Sequence, residues 1–346
     1  MKSIKDIAII AKVSPGTVDR VLHNRPGVSK KTKERVLKII EESNYTVNTV
    51  ASILASKKTY TIATLLPTSK NEFDFWEAPK LGAQKALNEI KNLGFRIESF
   101  EFNQFDPDSY CKAFKKMANT NPSAALIAPI LNKETQEHIH LLEDKNIPYV
   151  FINTETEGLN NLSFIGQKSF QGGFVAGKLF NWVLPENSEV LIVEIRKNVV
   201  NYTSINQRLK GFKDFFKNSE KSISVKKIAI NTLDNLQILN KELKNYLDQN
   251  PNTKGIFVPS SKISFIAKSI IELNRKDIEL GGFDNTLENV AFLKNETVDF
   301  LISQRPMEQG YDGVKLLFNY LIDKKQPKKN HYLPIEIVLK ENVDFL

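Results

Sequence analysis

From Thr59 to Leu346, short apolar runs alternate with longer segments of helical periodicity. The first run, Thr-Ile-Ala-Thr-Leu-Leu at residues 61–66, is followed by a helical pattern from Ala78 to Leu93. A helix between two strands lets the second strand start at the same end of the sheet as the first, so the two strands run parallel. This order therefore favours doubly wound parallel sheets. The length of the region predicts two such sheets. The predicted strands are 61–66, 96–101, 124–127, 149–152, 162–165, 190–193, 224–230, 255–258, 279–282 and 299–302.

Residues 3–58 show three short helical segments in place of this alternation. The first two are joined by a tight turn, and the third runs from residue 30 to about residue 44. Ser14 and Ser29 precede the second and third segments, where a serine can cap a helix N-terminus, and Pro15 suits the first helical position. Three helices of this size predict a small all-α domain built around one presented helix.

The positive charge of the chain is concentrated in the same segment. Residues 1–58 contain 12 Lys and Arg against 5 Asp and Glu, while the whole chain contains 48 against 40. The remainder is therefore almost neutral. A basic surface confined to one small helical domain is what the neutralisation of nucleic acid phosphates requires.

The composition indicates a reducing aqueous compartment. The single cysteine, Cys111, cannot form an internal disulfide. The start Met-Lys-Ser-Ile-Lys-Asp lacks the apolar run of a signal peptide, and no apolar run approaches the length of a membrane span. We therefore expect a cytoplasmic protein with no membrane partner.

Residues 13–24, Val-Ser-Pro-Gly-Thr-Val-Asp-Arg-Val-Leu-His-Asn, follow the pattern Val-Ser-x-x-Thr-Val-Ser-Arg-Val-Leu-Asn of the lac repressor (LacI/GalR) family. The N-terminal segment resembles the helix-turn-helix domain of that family. The resemblance implies that the second helix enters the major groove of double-stranded DNA, where Arg20 reads a base edge, expected to be guanine. Further residues match family positions that mostly hold the phosphate backbone. They are Ser3, Lys5, Ser14, Thr17, Asn24, Ser29 and Thr32.

Two features of the second helix depart from the family pattern. The main base-reading positions fall on Pro15 and Gly16, whose side chains offer no hydrogen bonds. Specificity there comes from shape or from contact with thymine methyl groups, or it is weak. Asp19 replaces the usual serine, and it either accepts from a cytosine amine or positions Arg20. The positioning role is favoured, because an acid that faces phosphates is repelled.

Residues 48–58 resemble the hinge helix of the family, with Val50, Ala51 and Leu54 on one helical face. So short a helix is marginal in water by itself. In the family, two such helices pair in the minor groove, and a leucine from each is wedged into a base step. The resemblance implies DNA contacts for Asn48, Ala51 and Leu54. The alternative is a plain linker that carries a few apolar residues.

The strand and helix order beyond residue 58 resembles the type I periplasmic binding protein fold, which supplies the effector domain of the lac repressor family. The resemblance implies two lobes joined by three chain crossings, expected near residues 163, 285 and 304, and a ligand cleft at the carboxyl ends of the strands. The expected organisation is a helix-turn-helix domain at 1–46, a hinge helix or linker at 47–58, and a two-lobed effector-binding and dimerisation domain at 59–346.

Several sequence landmarks resemble the effector site of the family. Arg208 matches an arginine that binds ligand oxygens, Asp284 an aspartate that accepts from ligand hydroxyls, and Gln304 a glutamine at a crossing. Ser260 stands where the family usually has an amide, which changes the hydrogen-bond pattern. An aromatic cluster after the first strand suits the apolar face of a sugar. It comprises Asn71, Phe73, Phe75 and Trp76.

Each landmark also has a purely structural interpretation. Arg208 could form a surface salt bridge, Asp284 could cap the following helix, and the aromatic residues could belong to the core or to a dimer interface. Their common position just after predicted strands favours the cleft. The segments 164–167 and 305–310 are closer to sugar-binding transport proteins than to purine-binding relatives. We therefore expect a sugar or sugar derivative, and the arginine leaves room for an acidic sugar such as a uronate.

Three functions from different classes fit parts of the chain. The favoured one is a sequence-specific DNA-binding transcription regulator, a repressor that binds a near-palindromic operator as a homodimer under the control of a carbohydrate effector. A sugar-binding transport or chemotaxis protein is the alternative, against which the basic N-terminal segment argues. An enzyme with an appended DNA-binding domain is the third. The sequence lacks a phosphate-binding loop and a nucleophile elbow, so we expect no enzymatic activity, cofactor or metal.

Overall fold

A computed structural model describes residues 4–22, 25–43, 58–69, 74–195, 202–231 and 235–346. The chain divides into two compact units, Met1–Lys57 and Lys58–Leu346, and each is described by itself. Among the described residues, no helix combines the length and the apolar character needed to cross a membrane.

In the described residues of the first unit there are three helices, α1 (Ile4–Ala11), α2 (Pro15–Leu22) and α3 (Lys30–Glu42). Their apolar faces meet in a small core in which every side chain is at most 4% exposed. The core residues are Ile7, Ala8, Ala11, Val18, Val21 and Val36. An inward position is also expected for Leu37 from its spacing, but it is wrong, since Leu37 is 44% exposed. Ile39 and Ile40, three and four positions beyond Val36, pack against this core instead, because they share the face of α3 on which Val36 lies.

The turn between α1 and α2 depends on a left-handed backbone at Lys12, whose φ is 51°. The amide of Val13 donates to the carbonyl of Ala8 at 3.0 Å, which closes the end of α1. The next helix then starts at once, with the Ser14 hydroxyl accepting from the amide of Thr17 at 3.1 Å. Ser29 caps α3 in the same way, accepting from the amide of Thr32, as the sequence predicts.

The second unit contains two six-stranded sheets. The first has the order β11-β5-β4-β3-β1-β2, and all its neighbouring strands are parallel. Its strands are β1 (Tyr60–Pro67), β2 (Phe95–Phe102), β3 (Ala124–Ile127), β4 (Tyr149–Ile152), β5 (Ser163–Gly166) and β11 (Asn330–Tyr332).

The second sheet has the order β12-β10-β9-β8-β6-β7, parallel except for β12, which runs antiparallel to β10. Its strands are β6 (Glu189–Ile195), β7 (Ser224–Ile230), β8 (Thr253–Val258), β9 (Glu279–Phe283), β10 (Phe300–Ser303) and β12 (Glu336–Val338). Central strands such as β6 are buried along their whole length, because helices cover both faces of a doubly wound sheet.

Helices connect the strands as the alternating pattern predicts. They are α4 (Glu77–Ile90), α5 (Pro107–Asn119), α6 (Asn132–His138), α7 (His140–Glu143), α8 (Ser169–Val183), α9 (Thr203–Lys217), α10 (Leu236–Gln249), α11 (Ile263–Glu272), α12 (Leu287–Lys294) and α13 (Pro306–Asp323). The two-lobed α/β fold class is therefore confirmed.

The chain crosses between the lobes at residues 167–168, at 304–305 and at 333–335. The crossings expected near residues 163 and 304 agree with this course. The crossing expected near residue 285 is wrong, because β9 and β10 are parallel neighbours in one sheet and α12 connects them. The third crossing instead follows β11. After the second crossing, α13 packs on α4 in the first lobe and β11 joins the first sheet, before the chain passes to β12 in the second sheet.

Glycine pairs bring two helices of each lobe into direct backbone contact. A Cβ on Gly82 of α4 would lie 1.9 Å from the carbonyl oxygen of Met307, and one on Gly310 of α13 would lie 1.9 Å from that of Pro79. In the second lobe, a Cβ on Gly173 of α8 would lie 1.9 Å from the carbonyl oxygen of Arg208 on α9. The glycine-rich segment 172–177 thus serves close helix packing, as its helical pattern indicates.

Candidate functional site

In the first unit, the start of α2 presents an open surface. Ser14, Pro15, Gly16 and Arg20 are exposed, and Thr17 is partly exposed. The hydroxyls of Ser14 and Thr17 lie 3.0 Å apart across the first turn. The N-terminus of a helix carries unpaired amides and a partial positive charge, which suit a phosphate group.

The start of α3 has the same construction. The Ser29 hydroxyl donates to that of Thr32 at 2.9 Å and accepts from the amide of Thr32 at 3.3 Å. Lys30 and Lys31 follow the cap and are exposed, and Lys5 is exposed on α1. The predicted backbone-binding residues among the described ones are therefore at the surface, although their contacts with DNA remain predictions.

The structure changes the interpretation of Asp19. Its carboxylate accepts a hydrogen bond from the Arg25 guanidinium at 3.0 Å. The sequence-based preference had Asp19 positioning Arg20, but adjacent residues of a helix do not face each other. The backbone of Arg25 is held at the end of α2, where its amide donates to the carbonyl of Arg20 at 2.8 Å.

In the second unit, one small cavity lies between the lobes at the carboxyl ends of the strands. It brings together six of the predicted effector-site residues, namely Phe75, Trp76, Arg208, Ser260, Asp284 and Gln304. The cavity gathers them because each follows the end of a parallel strand or lies on a helix that begins there.

A chain of hydrogen bonds joins three of these residues. The Arg208 guanidinium donates to Gln304 Oε1 and, at 2.9 Å, to the carbonyl oxygen of Pro259. Gln304 Nε2 in turn donates to Asp284 Oδ1 at 2.6 Å. Arg208 and Gln304 are each 3% exposed, so the surface salt bridge considered for Arg208 is wrong.

Asp284 is held in a left-handed backbone conformation, with φ 72°, at the end of β9. Its burial raises the pKa of the carboxyl group from 3.8 to about 6, while the charge of Arg208, the hydrogen bond from Gln304 and the charge of Lys262 act in the opposite direction. Asp284 does not cap α12, because Thr286 is the N-cap residue of that helix and its side chain accepts from the amide of Asn289. The carboxylate therefore faces the cavity.

The aromatic side chains line the other side. Phe75 and Trp76 are 7% and 5% exposed, and their rings meet edge to face at 5.0 Å. Phe283 packs against the guanidinium of Arg208, with its ring centroid 4.0 Å from Arg208 Cζ. The cavity thus combines aromatic walls with one cation, one acid and an amide.

Sequence reasoning missed several residues of the cavity. Asn153 follows β4, and its Nδ2 donates to Gln304 Oε1 at 3.2 Å. Tyr202 lies at the start of α9, and its hydroxyl donates to the carbonyl oxygen of Gln104, in the other lobe, at 2.5 Å. The signal for Asn153 was present, since a polar residue directly follows a buried strand. The remaining missed lining residues are Gln104, Ile130, Ser204, Ile205 and Ser261.

The lobes are closed around this cavity, whose volume is about 50 Å³. Pockets that hold small molecules usually measure roughly 300–1,000 Å³. The polar groups of the cavity instead bond to one another, and Tyr202 bridges the lobes. A ligand can enter only if the lobes open and these groups exchange their mutual bonds for bonds to the ligand.

Gln167, on the first crossing, binds both other crossings. Its Nε2 donates to the carbonyl oxygen of Ser303 at 2.5 Å and to that of Pro334 at 3.0 Å. The side chain is 3% exposed. All three connections between the lobes are therefore linked through one amide.

A wider groove of about 850 Å³ lies beside the cavity, and Phe75 and Asp284 line both. Five large apolar side chains in its wall are between 43% and 86% exposed. They are Leu81, Leu287, Met307, Phe345 and Leu346.

Seven predicted site residues lie outside the described residues, so the structure places none of them. They are Ser3, Asn24, Asn48, Ala51, Leu54, Asn71 and Phe73. Within the described residues, no group of three or more His, Cys, Asp and Glu side chains has the arrangement of a metal site.

Solved structures share the fold of the second unit. A LacI-type transcriptional regulator from Bacteroides fragilis is 25% identical, with a TM-score of 0.78 over 84% of this chain and 100% of its own. A glucose-galactose binding protein from Geobacillus stearothermophilus is 21% identical, with a TM-score of 0.71 over 83% of this chain and 99% of its own.

Curated relatives match along almost the whole chain. The ribose operon repressor of Lactococcus lactis is 26% identical over 99% of this chain and 98% of its own length. The HTH-type transcriptional regulator DegA of Bacillus subtilis is 25% identical over 98% and 97%, respectively.

Two protein families account for the chain. Residues 62–325 match the periplasmic binding protein domain, and residues 3–48 match the bacterial regulatory proteins of the lacI family. The relatives are regulators and not enzymes, and the transport alternative is not favoured, because it does not account for the N-terminal match. The chain belongs to the periplasmic binding protein domain family, and it carries in front of that domain the DNA-binding domain of the bacterial regulatory proteins of the lacI family.

Proposed function

We propose that this regulator is a repressor whose affinity for its operator is set by a sugar or sugar derivative bound between the lobes. The observation that carries the proposal is the buried chain Arg208–Gln304–Asp284, which faces the aromatic pair Phe75 and Trp76. Sugar hydroxyls both donate and accept, so they match an arginine, an amide and a carboxylate, while the apolar face of the ring suits an aromatic wall.

The comparisons support this effector class. Relatives along the whole chain are named ribose operon repressors, and the neighbouring solved folds include proteins described as binding glucose and galactose. Ser260 is included in the proposed site together with Asn153. Both contribute small polar groups at strand ends, where they can select among sugar stereoisomers.

We also propose the DNA-binding surface. Arg20 reads a base edge in the major groove, and Pro15 and Gly16 allow close approach of α2. Phosphates bind at the two capped helix starts, and residues of a hinge helix reach the minor groove. The backbone-binding residues are Ser3, Lys5, Ser14, Thr17, Asn24, Ser29 and Thr32, and the hinge residues are Asn48, Ala51 and Leu54. The domain limits proposed are 1–46, 47–58 and 59–346, and the site of action is the cytoplasm.

A homodimer on a near-palindromic operator completes the proposal. Its support is the groove of the second unit, where five large apolar side chains are exposed side by side. Such a patch is uncommon on a surface that faces water only. We expect Leu81→Glu to yield monomers in light scattering and to weaken operator binding. Ile238→Glu, at a separate side chain that is 45% exposed, should leave the dimer intact.

The effector is identified by thermal denaturation in the presence of monosaccharides, disaccharides, uronates, polyols and nucleosides. A sugar that binds the cleft should raise the melting temperature in a saturable way. Arg208→Ala should remove this response while operator binding of the effector-free protein persists. A nucleoside as the stabilising ligand would contradict the sugar proposal, and a shift that survives in Arg208→Ala would place the ligand elsewhere.

A further inference from the structure

An acidic residue, Asp19, lies on the face of α2 that is proposed to enter the major groove. Asp19 lies one helical turn beyond Pro15 and Gly16, and residues three and four apart share a face of a helix. A carboxylate in this place approaches DNA phosphates, and like charges repel over the distance of a Debye length, about 8 Å at physiological salt.

The structure supplies a partner for that acid. The Arg25 guanidinium lies 3.0 Å from Asp19 Oδ2, and the two side chains are 61% and 39% exposed. An ion pair exposed to this degree contributes little to the free energy of folding. A cation at the end of α2 also faces the negative end of the helix dipole, which helps to keep Arg25 there.

We infer that Arg25 masks the negative charge of Asp19 on the DNA-facing side of α2, so that the helix can approach phosphates despite its acid. The inference rests on the proposed DNA-binding surface. Arg25 is then a positioning residue, since it acts on DNA through Asp19. The guanidinium of Arg25 pairs with Asp19 of the protein and not with DNA. Arg20 remains the arginine that reads a base.

The test begins with the operator, which the full wild-type chain selects from a pool of randomised duplexes. Operator affinity is then measured for Arg25→Ala, for Asp19→Ser and for the double variant that carries both changes. Lys38→Ala is the matched control, because Lys38 pairs with Glu42 at 3.8 Å on the same unit and carries the same charge.

We expect Arg25→Ala to weaken binding at least tenfold, because it leaves the carboxylate of Asp19 next to phosphates. Lys38→Ala should cost less than threefold. The operator affinity of the double variant should return to within about threefold of the wild-type value, since this variant lacks both the carboxylate of Asp19 and the guanidinium that neutralises it. Circular dichroism of each variant establishes that the three helices are folded.

Three outcomes would overturn the inference. A double variant as weak as Arg25→Ala would show that Arg25 holds DNA itself. An Arg25→Ala variant as strong as the Lys38→Ala control would show that the acid does no harm. If the wild-type chain enriches no duplex from the pool, the proposed DNA surface fails, and the inference fails with it.

Discussion

At the scale of single residues, Asp284 gives the ligand site a buried carboxyl group at a cost in folding stability. A buried carboxyl group loses its hydration, and in this protein the loss outweighs the nearby charge of Arg208, so the pKa rises to about 6. The folded protein therefore holds the proton of Asp284 more tightly than the unfolded chain does. Between the ordinary pKa near 4 and about 6, the contribution of this residue to stability falls as pH rises.

Asp284→Asn removes this dependence. The difference in unfolding free energy between the variant and wild type should shift by roughly 2–3 kcal/mol between pH 4 and pH 7.5, in favour of the variant at the higher pH. Urea unfolding at a series of pH values measures it. A difference that stays constant across the range would show that burial does not raise this pKa.

At the scale of secondary structure elements, the close contact of α8 and α9 sets the position of the effector site. Gly173 lets the backbone of α8 touch the backbone of Arg208 on α9. Gly172, the preceding residue of α8, faces the ring of Phe283, which in turn packs against the guanidinium of Arg208. The packing of two helices therefore places both the main chain and the side chain of the arginine.

Gly173→Ala should destabilise the second unit by about 1–3 kcal/mol or more, since its Cβ would lie 1.9 Å from the carbonyl oxygen of Arg208. It should also abolish effector binding. Gly172→Ala is the matched control, because its Cβ would lie 3.4 Å from Phe283, an ordinary contact. That variant should be neutral, or more stable by up to about 1 kcal/mol through helix propensity. Equal effects of the two changes would contradict the packing argument.

The elements also show how far the sequence predicts the fold. All ten predicted strands are present. Eight of them are mostly buried apolar runs bounded by turns, whereas the edge strands β2 and β7 are more exposed and contain charged residues. β11 and β12 were missed, since each has three residues, and β11, Asn-His-Tyr, is exposed along its length. Without β11 and β12, the third crossing could not be located.

The residues of the candidate site also differ in how far the sequence predicts them. Residues within recognisable motifs, such as Arg208 and Asp284, could be proposed from the sequence. Asn153 could also have been found, as a polar residue directly after a buried strand. Tyr202 could not, since its place in the cavity depends on a contact between the lobes over 98 positions of the chain. Such distant contacts leave no local pattern.

At the scale of the whole molecule, Gln167 links the three connections on which lobe movement depends. Opening the cleft requires these segments to change their backbone angles together, because one amide bonds to Ser303 and Pro334. A shift in the balance between open and closed lobes changes the apparent affinity for any ligand that prefers one of them.

Gln167→Met keeps the volume of the side chain and removes both hydrogen bonds. We expect faster hydrogen exchange at the amide of Leu333, which donates to Gly166 at 2.9 Å beside the same crossing. We also expect a smaller change of operator affinity on effector binding. Gln237→Met, at an exposed position of α10, is the control. Unchanged exchange and an unchanged effector response would show that the crossings move independently of this amide.

The late return of the chain to the first lobe has a consequence for its synthesis. A nascent chain that has left the ribosome as far as Ser303 contains β1 to β5, but α13, which covers α4, has not yet been made. The first lobe, although its synthesis begins first, is thus completed only after ten of the twelve described strands have been made. A chain that ends just after β10 would lack α13 and the edge strands β11 and β12 of the two sheets. Apolar surface that stays uncovered in this way favours aggregation, so the residues after β10 decide whether either lobe is finished.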